Sequence, residues 1–244
     1  MSMAGKKRTL VRREQIVKAA KKVFAAKGFY EATISDIARE AQLSEPTIYE
    51  YFTSKEDVLF TIPGEQSVEA RRTMEPNLNM FQGAANKLRG IIYTLWNFYQ
   101  TDQEYAAVAM LILKQNRKFI GTENYNAVRQ YFRLMYDVIK EGQAGGEFRS
   151  DISPFFIRSV VIGTIEHLTT RKVLYDTENS LVEFVDPLIE VLTNGVAVRP
   201  GPADIQVHVT MSPYSGGFAP PEPADAGLEV GNAPKPRRER RTGS

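Results

Sequence analysis

Cysteine is absent from these 244 residues. That excludes disulfides, thiolate nucleophiles and cysteine-held metal sites. Histidine occurs only at His167 and His208, far apart in the chain, which argues against a histidine-rich metal site or a serine-type triad. No apolar run approaches the roughly 18 residues that read as a membrane span. The N-terminus is basic but lacks an apolar core segment, so no signal peptide is read, and a cytoplasmic protein without membrane association is expected. Carboxylate pairs with metal-ligand spacing and phosphate-binding loops are also missing. Neither an enzyme nor a metal or cofactor protein is expected.

What is present is charge, unevenly spread. Residues 1–60 hold 11 Lys and Arg against 8 Asp and Glu, net +3, whereas residues 61–196 hold 14 against 16, net −2. Lys6, Lys7, Arg8, Arg12 and Arg13 precede any acid. This front segment, residues 1–11, reads as a disordered arm: either a phosphate or minor-groove contact, or a solvated tail. The last 48 residues hold 8 of the 13 prolines and end in PKPRRERRTGS. Residues 197–244 accordingly read as a disordered tail without a core pattern. IQVHVTM at 205–211 alternates like a strand with nothing to pair with.

Between the two ends the periodicity is helical throughout. Ile16, Ala19, Ala20, Val23 and Phe24 share one face of a helix, and Gly28 ends it. Thr33 with Asp36 is a capping box that opens a second helix carrying Ile34, Ile37, Ala38 and Ala41. After a turn at Gln42–Leu43, Ser44 caps a short helix with Pro46 in its first turn, where a missing N–H costs little. This third helix is expected to reach about Tyr51. Ser54 with Asp57 starts a fourth, which Pro63-Gly64 interrupts or ends early; Glu65–Met74 reads as helical again until Pro76. Further helices are expected at about 80–100, 103–117, 122–142, 153–176 and 180–194, the last opened by a Ser180–Glu183 box. The ordered chain is expected to be all-α.

Two helices flanking a tight turn, the second starting small, polar and proline-bearing, form a helix-turn-helix that can place an end in the major groove. The ordered combination of RREQIVKAAKKVFAAKGFYEATISDI with AREAQLSEPTIYEYFTSKEDVL resembles the DNA-binding domain of the TetR family of transcriptional regulators, over residues 12–60 almost continuously. Thr33, Ser44, Thr47, Tyr49, Tyr51 and Lys55 are then candidates for phosphate contact, by hydroxyl, helix terminus or ammonium. Base reading falls to Glu45, Pro46 and Glu50, since a proline ring can meet a thymine methyl and Glu can accept from cytosine N4. Phe52 reads as core, and Tyr51 as either core or contact. Two departures from the family pattern stand out. Gln42 occupies a position where Gly is usual, so a left-handed turn there is strained. Glu45 replaces the usual cation or Gln.

The resemblance implies a helical effector-binding and dimerisation domain over 61–196, with a homodimer built from the last two long helices. That assembly presents two recognition helices to a palindromic operator, whose successive major grooves lie roughly 34–36 Å apart. On the residues alone, FFIRSVVIGTIEHLTTRKVL is apolar around much of its helix, and Leu181, Phe184, Val185, Leu188, Ile189 and Leu192 give the last helix a broad stripe. Candidate effector-pocket residues are Trp96, Tyr99, Met110, Leu113, Tyr131, Met135, Ile162, Glu166 and His167, with a buried structural role the alternative for His167. GTIEHLTT and EGQAGGEF add a resemblance to the fatty-acid-degradation (FadR-type) branch, which implies a long-chain acyl-CoA effector; Arg117, Lys118 and Arg133 are candidate partners for its phosphates. The expected function is a ligand-responsive repressor released from its operator by a small apolar effector. An effector-independent architectural DNA-binding protein is the alternative.

Overall fold

The structure, a computed structural model, describes residues 3–175 and 178–196. The tail from 197 onward, with His208 and the 205–211 alternation, lies outside the described residues. Every regular element among the described residues is helical.

Helix α1 (Met3–Glu31) breaks at Gly28, whose φ of +73° lets the chain turn without a Cβ penalty. It begins at Met3, so positions 3–11 belong to a helix and not to the disordered arm expected there. Ile16, Ala20 and Phe24 are wholly buried along its inner face. Helix α2 (Ile34–Glu40) opens on the Thr33–Asp36 capping box with both of its hydrogen bonds formed. Helix α3 (Glu45–Tyr49) is capped by Ser44 and stops two residues short of the expected end. Between α2 and α3, Gln42 takes φ +55°, the strained geometry that its position in the turn demands.

Helix α4 (Lys55–Asn77) runs unbroken through Pro63 and Pro76, contrary to the interruption expected at Pro63-Gly64. Pro63 has no N–H for the carbonyl four residues back, and tertiary packing compensates. Leu59, Phe60, Ile62 and Pro63 are all buried, and Gly64 lets another helix, α7 (Glu123–Ala144), close on this segment. A Cβ at Gly64 would stand 2.8 Å from the Asn124 Cβ. Pro76 falls in the last turn, where the loss of one ladder bond matters less.

Helix α5 (Ala84–Thr101) begins at Gly83, which has no capping side chain. Its first N–H groups are satisfied from a distance, because the Glu147 carboxylate accepts from Ala84 N at 2.8 and 2.9 Å. The Gly145-Gly146 turn, with Gly146 at φ +74°, returns the chain to make that contact. The helix expected at 103–117 is instead composite. A short α6 (Gln103–Ala107) widens into a π turn at Val108–Ile112 and tightens to 3₁₀ at Leu113–Gln115. Helix α8 (Pro154–Tyr175) falls within a residue of the span expected at each end. The Ser180–Glu183 box does not form. Gln100 Oε1 accepts from both Ser180 Oγ (2.8 Å) and Leu181 N (2.7 Å), and a 3₁₀ turn leads into α9 (Val185–Val196).

Candidate nucleic-acid interface and effector cavities

The recognition element is a two-faced short helix. Ile48 and Phe52 are buried in the core, while Glu45, Pro46, Tyr49 and Glu50 are exposed. Ser44 Oγ accepts from Thr47 N (3.3 Å) and lies 2.9 Å from Thr47 Oγ1, so one hydroxyl pair both caps the helix and edges its N-terminus. Tyr51 is half-buried against the core, so of the two tyrosines Tyr49 is the one that stands in solvent.

Two candidate phosphate contacts are already engaged. The Thr33 hydroxyl donates to Asp36 at 2.9 Å and accepts from Asp36 N at 3.1 Å. Asp36 also pairs with Lys27 (2.8 Å) and Arg39. Lys27 foremost, then the Thr33 hydroxyl, holds its carboxyl down at about 2. The Lys55 ammonium donates to the carbonyls of Phe29 and Ala32, both at 2.7 Å, and lies over the Phe29 ring. Two of its three donors therefore fasten the α1–α2 link to the head of α4.

Three further ionic contacts tie this unit to the helices behind it. Arg13, one of the basic residues ahead of the first acid in the sequence, turns inward. It donates to Glu65 (2.7 Å), reaches Tyr51 O and Thr61 Oγ1 at 3.4 Å, and stacks over Phe52 at 4.5 Å. It thereby joins α1, the end of the recognition element and the Pro63 region of α4. Lys21 of α1 pairs with Asp102, which caps α6. Lys118 pairs with Glu56 in the first turn of α4 at 2.9 Å, and that contact lowers the Glu56 carboxyl below its usual range.

Behind α4 lie two cavities of about 770 and 710 Å³. Tyr99, Tyr105 and Phe132 border both. The larger is ringed by Lys114, Arg117, Arg129, Arg133 and Arg158, against one carboxylate, Glu166. Lys114 crosses it to Glu166 at 2.5 Å. Arg158 lies near the Phe155 and Tyr136 rings, and its Nε is buried without a hydrogen-bond partner. The second cavity is walled mainly by carbon, including Ala70, Met74, Phe81, Leu95 and Phe98. Burial raises the hydroxyls of Tyr99 and Tyr105 well above their ordinary range and pushes Tyr131 up to about 12, so all three stay neutral donors near neutral pH.

Of the expected pocket residues, Tyr99, Met110, Leu113, Ile162 and Glu166 border the larger cavity, and Tyr131 the second. Trp96 and Met135 border neither; they are 0% and 1% exposed and belong to the core. His167 also borders neither and is exposed on α8, which removes both readings given to it. Arg117 and Arg133 stand at the larger cavity, whereas Lys118 is spent on Glu56. Sequence reasoning missed Arg158, although it precedes Ile162 and Glu166 by four and eight residues and so shares their helix face.

Residues 16–62 match the model of bacterial regulatory proteins of the tetR family, and residues 68–195 match that of the YsiA-like protein C-terminal region. The chain belongs to the TetR family. Its family is one of bacterial regulatory proteins that bind DNA through a helix-turn-helix. The fatty acid metabolism regulator protein of Bacillus subtilis is 28% identical to it over 182 residues, 75% of this chain and 94% of the relative. The crystal structure of FadR from Bacillus subtilis in complex with stearoyl-CoA superposes with a TM-score of 0.71 at 28% identity, over 75% of this chain and 98% of that one. The fatty acid degradation regulator FadR from Bacillus halodurans gives a TM-score of 0.71 at 27% identity, over 75% and 95%. No helix among the described residues is long and apolar enough to cross a membrane.

Proposed function

We propose that the effector is a long-chain acyl-CoA, held with its phosphates among the arginines of the larger cavity and its chain in the carbon-walled one. The orphan Nε of Arg158 carries this reading, because a buried guanidinium N–H without an acceptor is costly unless a ligand supplies one. Arginine suits phosphate, offering two parallel donors from a rigid plane. Both volumes fall within the usual range for ligand sites, about 300–1,000 Å³. The stearoyl-CoA held by the similar Bacillus subtilis protein supports the same chemistry.

Domains divide here as residues 12–60, which read DNA, and 61–196, which bind effector and dimerise. The chain acts as a homodimer through α8 and α9. Phe155, Phe156, Val160, Leu174, Tyr175 and Val191, all on these two helices, are 41–69% exposed, an apolar surface of the kind a partner covers. Release from DNA is a population shift. The acyl-CoA binds better to the conformer whose recognition helices no longer match successive grooves. Pro63 borders the larger cavity and Arg13 grips α4 beside it, so α4 can carry displacement of α7 to the recognition element. Tyr49, Thr47 and Ser44 contact phosphate, and Glu45, Pro46 and Glu50 face base edges. Thr33, Tyr51 and Lys55 hold that face in place.

The test is operator binding by fluorescence anisotropy on DNA from the gene's own promoter region, titrated with stearoyl-CoA. Stearoyl-CoA is expected to release the DNA, and Arg158→Gln to blunt release without altering DNA affinity in its absence. DNA binding indifferent to saturating stearoyl-CoA overturns the acyl-CoA reading. A stable monomer by sedimentation in the presence of DNA overturns the dimer.

A further inference from the structure

A third cavity, of about 420 Å³, shares only Tyr99 with the two assigned to acyl-CoA and lies at the seam where α1 meets α6 and α8. Its walls include Ala25 and Ala26 of α1, Ala107 of α6, Val173 of α8, Leu181 and Tyr99. Alanines on facing helices leave the space open, because neither helix sends a long side chain across it. Thr169 also borders this space. Thr169 is 0% exposed, and its Oγ1 is buried with no hydrogen-bond partner. The side chains of Lys22 and Lys172 stand at the rim, with Gln103 and Glu104. Lys22 shares its ammonium with Glu40 at 3.2 Å and retains two further donors, whereas Lys172 already donates to Asn179 O at 3.1 Å.

We infer that this cavity is a second effector site, taking a compact monocarboxylate amphiphile with its apolar body between α1 and α6 and its carboxylate between Thr169 and the Lys22 ammonium. The hydroxyl needs an acceptor, the walls offer carbon, and two ammoniums stand at the rim against the one carboxylate of Glu104. Because α1 belongs to the DNA-reading unit and α6 and α8 to the sensing half, an occupant bears on the joint that Lys21 and Asp102 otherwise hold. Its binding and operator binding are therefore reciprocally coupled.

The probe is 3-phenylpropanoate, measured by calorimetry on the full chain. One saturable site per chain is expected, together with a several-fold change in operator affinity at saturation. Thr169→Val keeps the shape and removes the orphan hydroxyl. It is expected to raise the melting temperature of the unliganded protein and to weaken 3-phenylpropanoate about tenfold. Ala107→Leu is expected to fill the site and abolish binding while leaving the response to stearoyl-CoA intact. Four results each overturn the inference: no saturable binding to the wild type, undiminished affinity in both variants, a lowered unliganded melting temperature in Thr169→Val, or unchanged operator affinity at saturation. Failure of stearoyl-CoA to release DNA would sink the acyl-CoA reading and leave this one standing.

Discussion

The DNA-reading unit and the sensing half solve opposite problems with the same helices. In the first, the polar groups are paired: Thr33 with Asp36, Ser44 with Thr47, Lys55 with two carbonyls, Arg13 with three partners. In the second, the helices enclose cavities, a π turn lies beside them, and buried donors such as Arg158 Nε and Thr169 Oγ1 lack partners. A recognition surface must keep one shape to match DNA. A sensing core must keep room, and unmet hydrogen-bonding capacity, for something that arrives later.

The same kind of truncation in each half should expose this contrast. Ile48→Ala, in a wholly buried position under the recognition helix, is expected to cost about 2–5 kcal/mol in denaturant unfolding and to abolish operator binding. Ile162→Ala, at the wall of the larger cavity, is expected to cost about 1 kcal/mol, because space already lies beside it. Equal losses would show that the sensing half is packed as tightly as the other. Removing the cap with Ser44→Ala should cost about 1 kcal/mol and weaken DNA binding across all sequences. Gln42→Gly should stabilise by about 0.5–1 kcal/mol, since glycine accepts the positive φ without strain; a lower melting temperature would show that the Gln42 side chain contributes something its backbone does not require.

Acid sensitivity provides a subtler probe of the first region. The Asp36 carboxyl titrates at about 2 in the fold, below its ordinary 3.8. A depressed folded value means its stabilisation is fully present above about pH 4 and is lost as pH falls toward 2. The melting temperatures of the wild type and Asp36→Asn should therefore differ most near pH 5 and converge as pH approaches 2. A difference that persists at pH 2 would mean that shape, not charge, is what Asp36 contributes.

The first region was legible in sequence because its chemistry is local. A capping box spans three residues, a proline at a helix start announces itself, and the strain at Gln42 follows from the turn alone. Those signals place α2, α3 and the start of α4 to within a residue or two. The second region hid its rules at long range. Glu147 caps a helix 63 positions away in sequence, Gln100 displaces the Ser180 cap, and Gly64 lets α7 pack closely against α4 beside Pro63. None of these partnerships leaves a nearby mark. Arg13 shows the same limit in reverse: its position among basic residues suggested solvent, and only the packed α4 shows why it turns inward. Aromatic content likewise pointed to Trp96, which the core absorbed, while the arginine face of α8 went unread.

The π turn at Val108–Ile112 has a bearing on how this wall can vary. A π turn holds one residue more than an ordinary turn, and each residue advances a helix by about 100°. Everything beyond it, including Leu113 and Lys114 at the larger cavity, is therefore out of phase with Tyr105 before it. Deleting a single residue there would restore a regular spiral and swing the later side chains a quarter-turn or more away, retuning the wall by register alone with every flanking residue type unchanged.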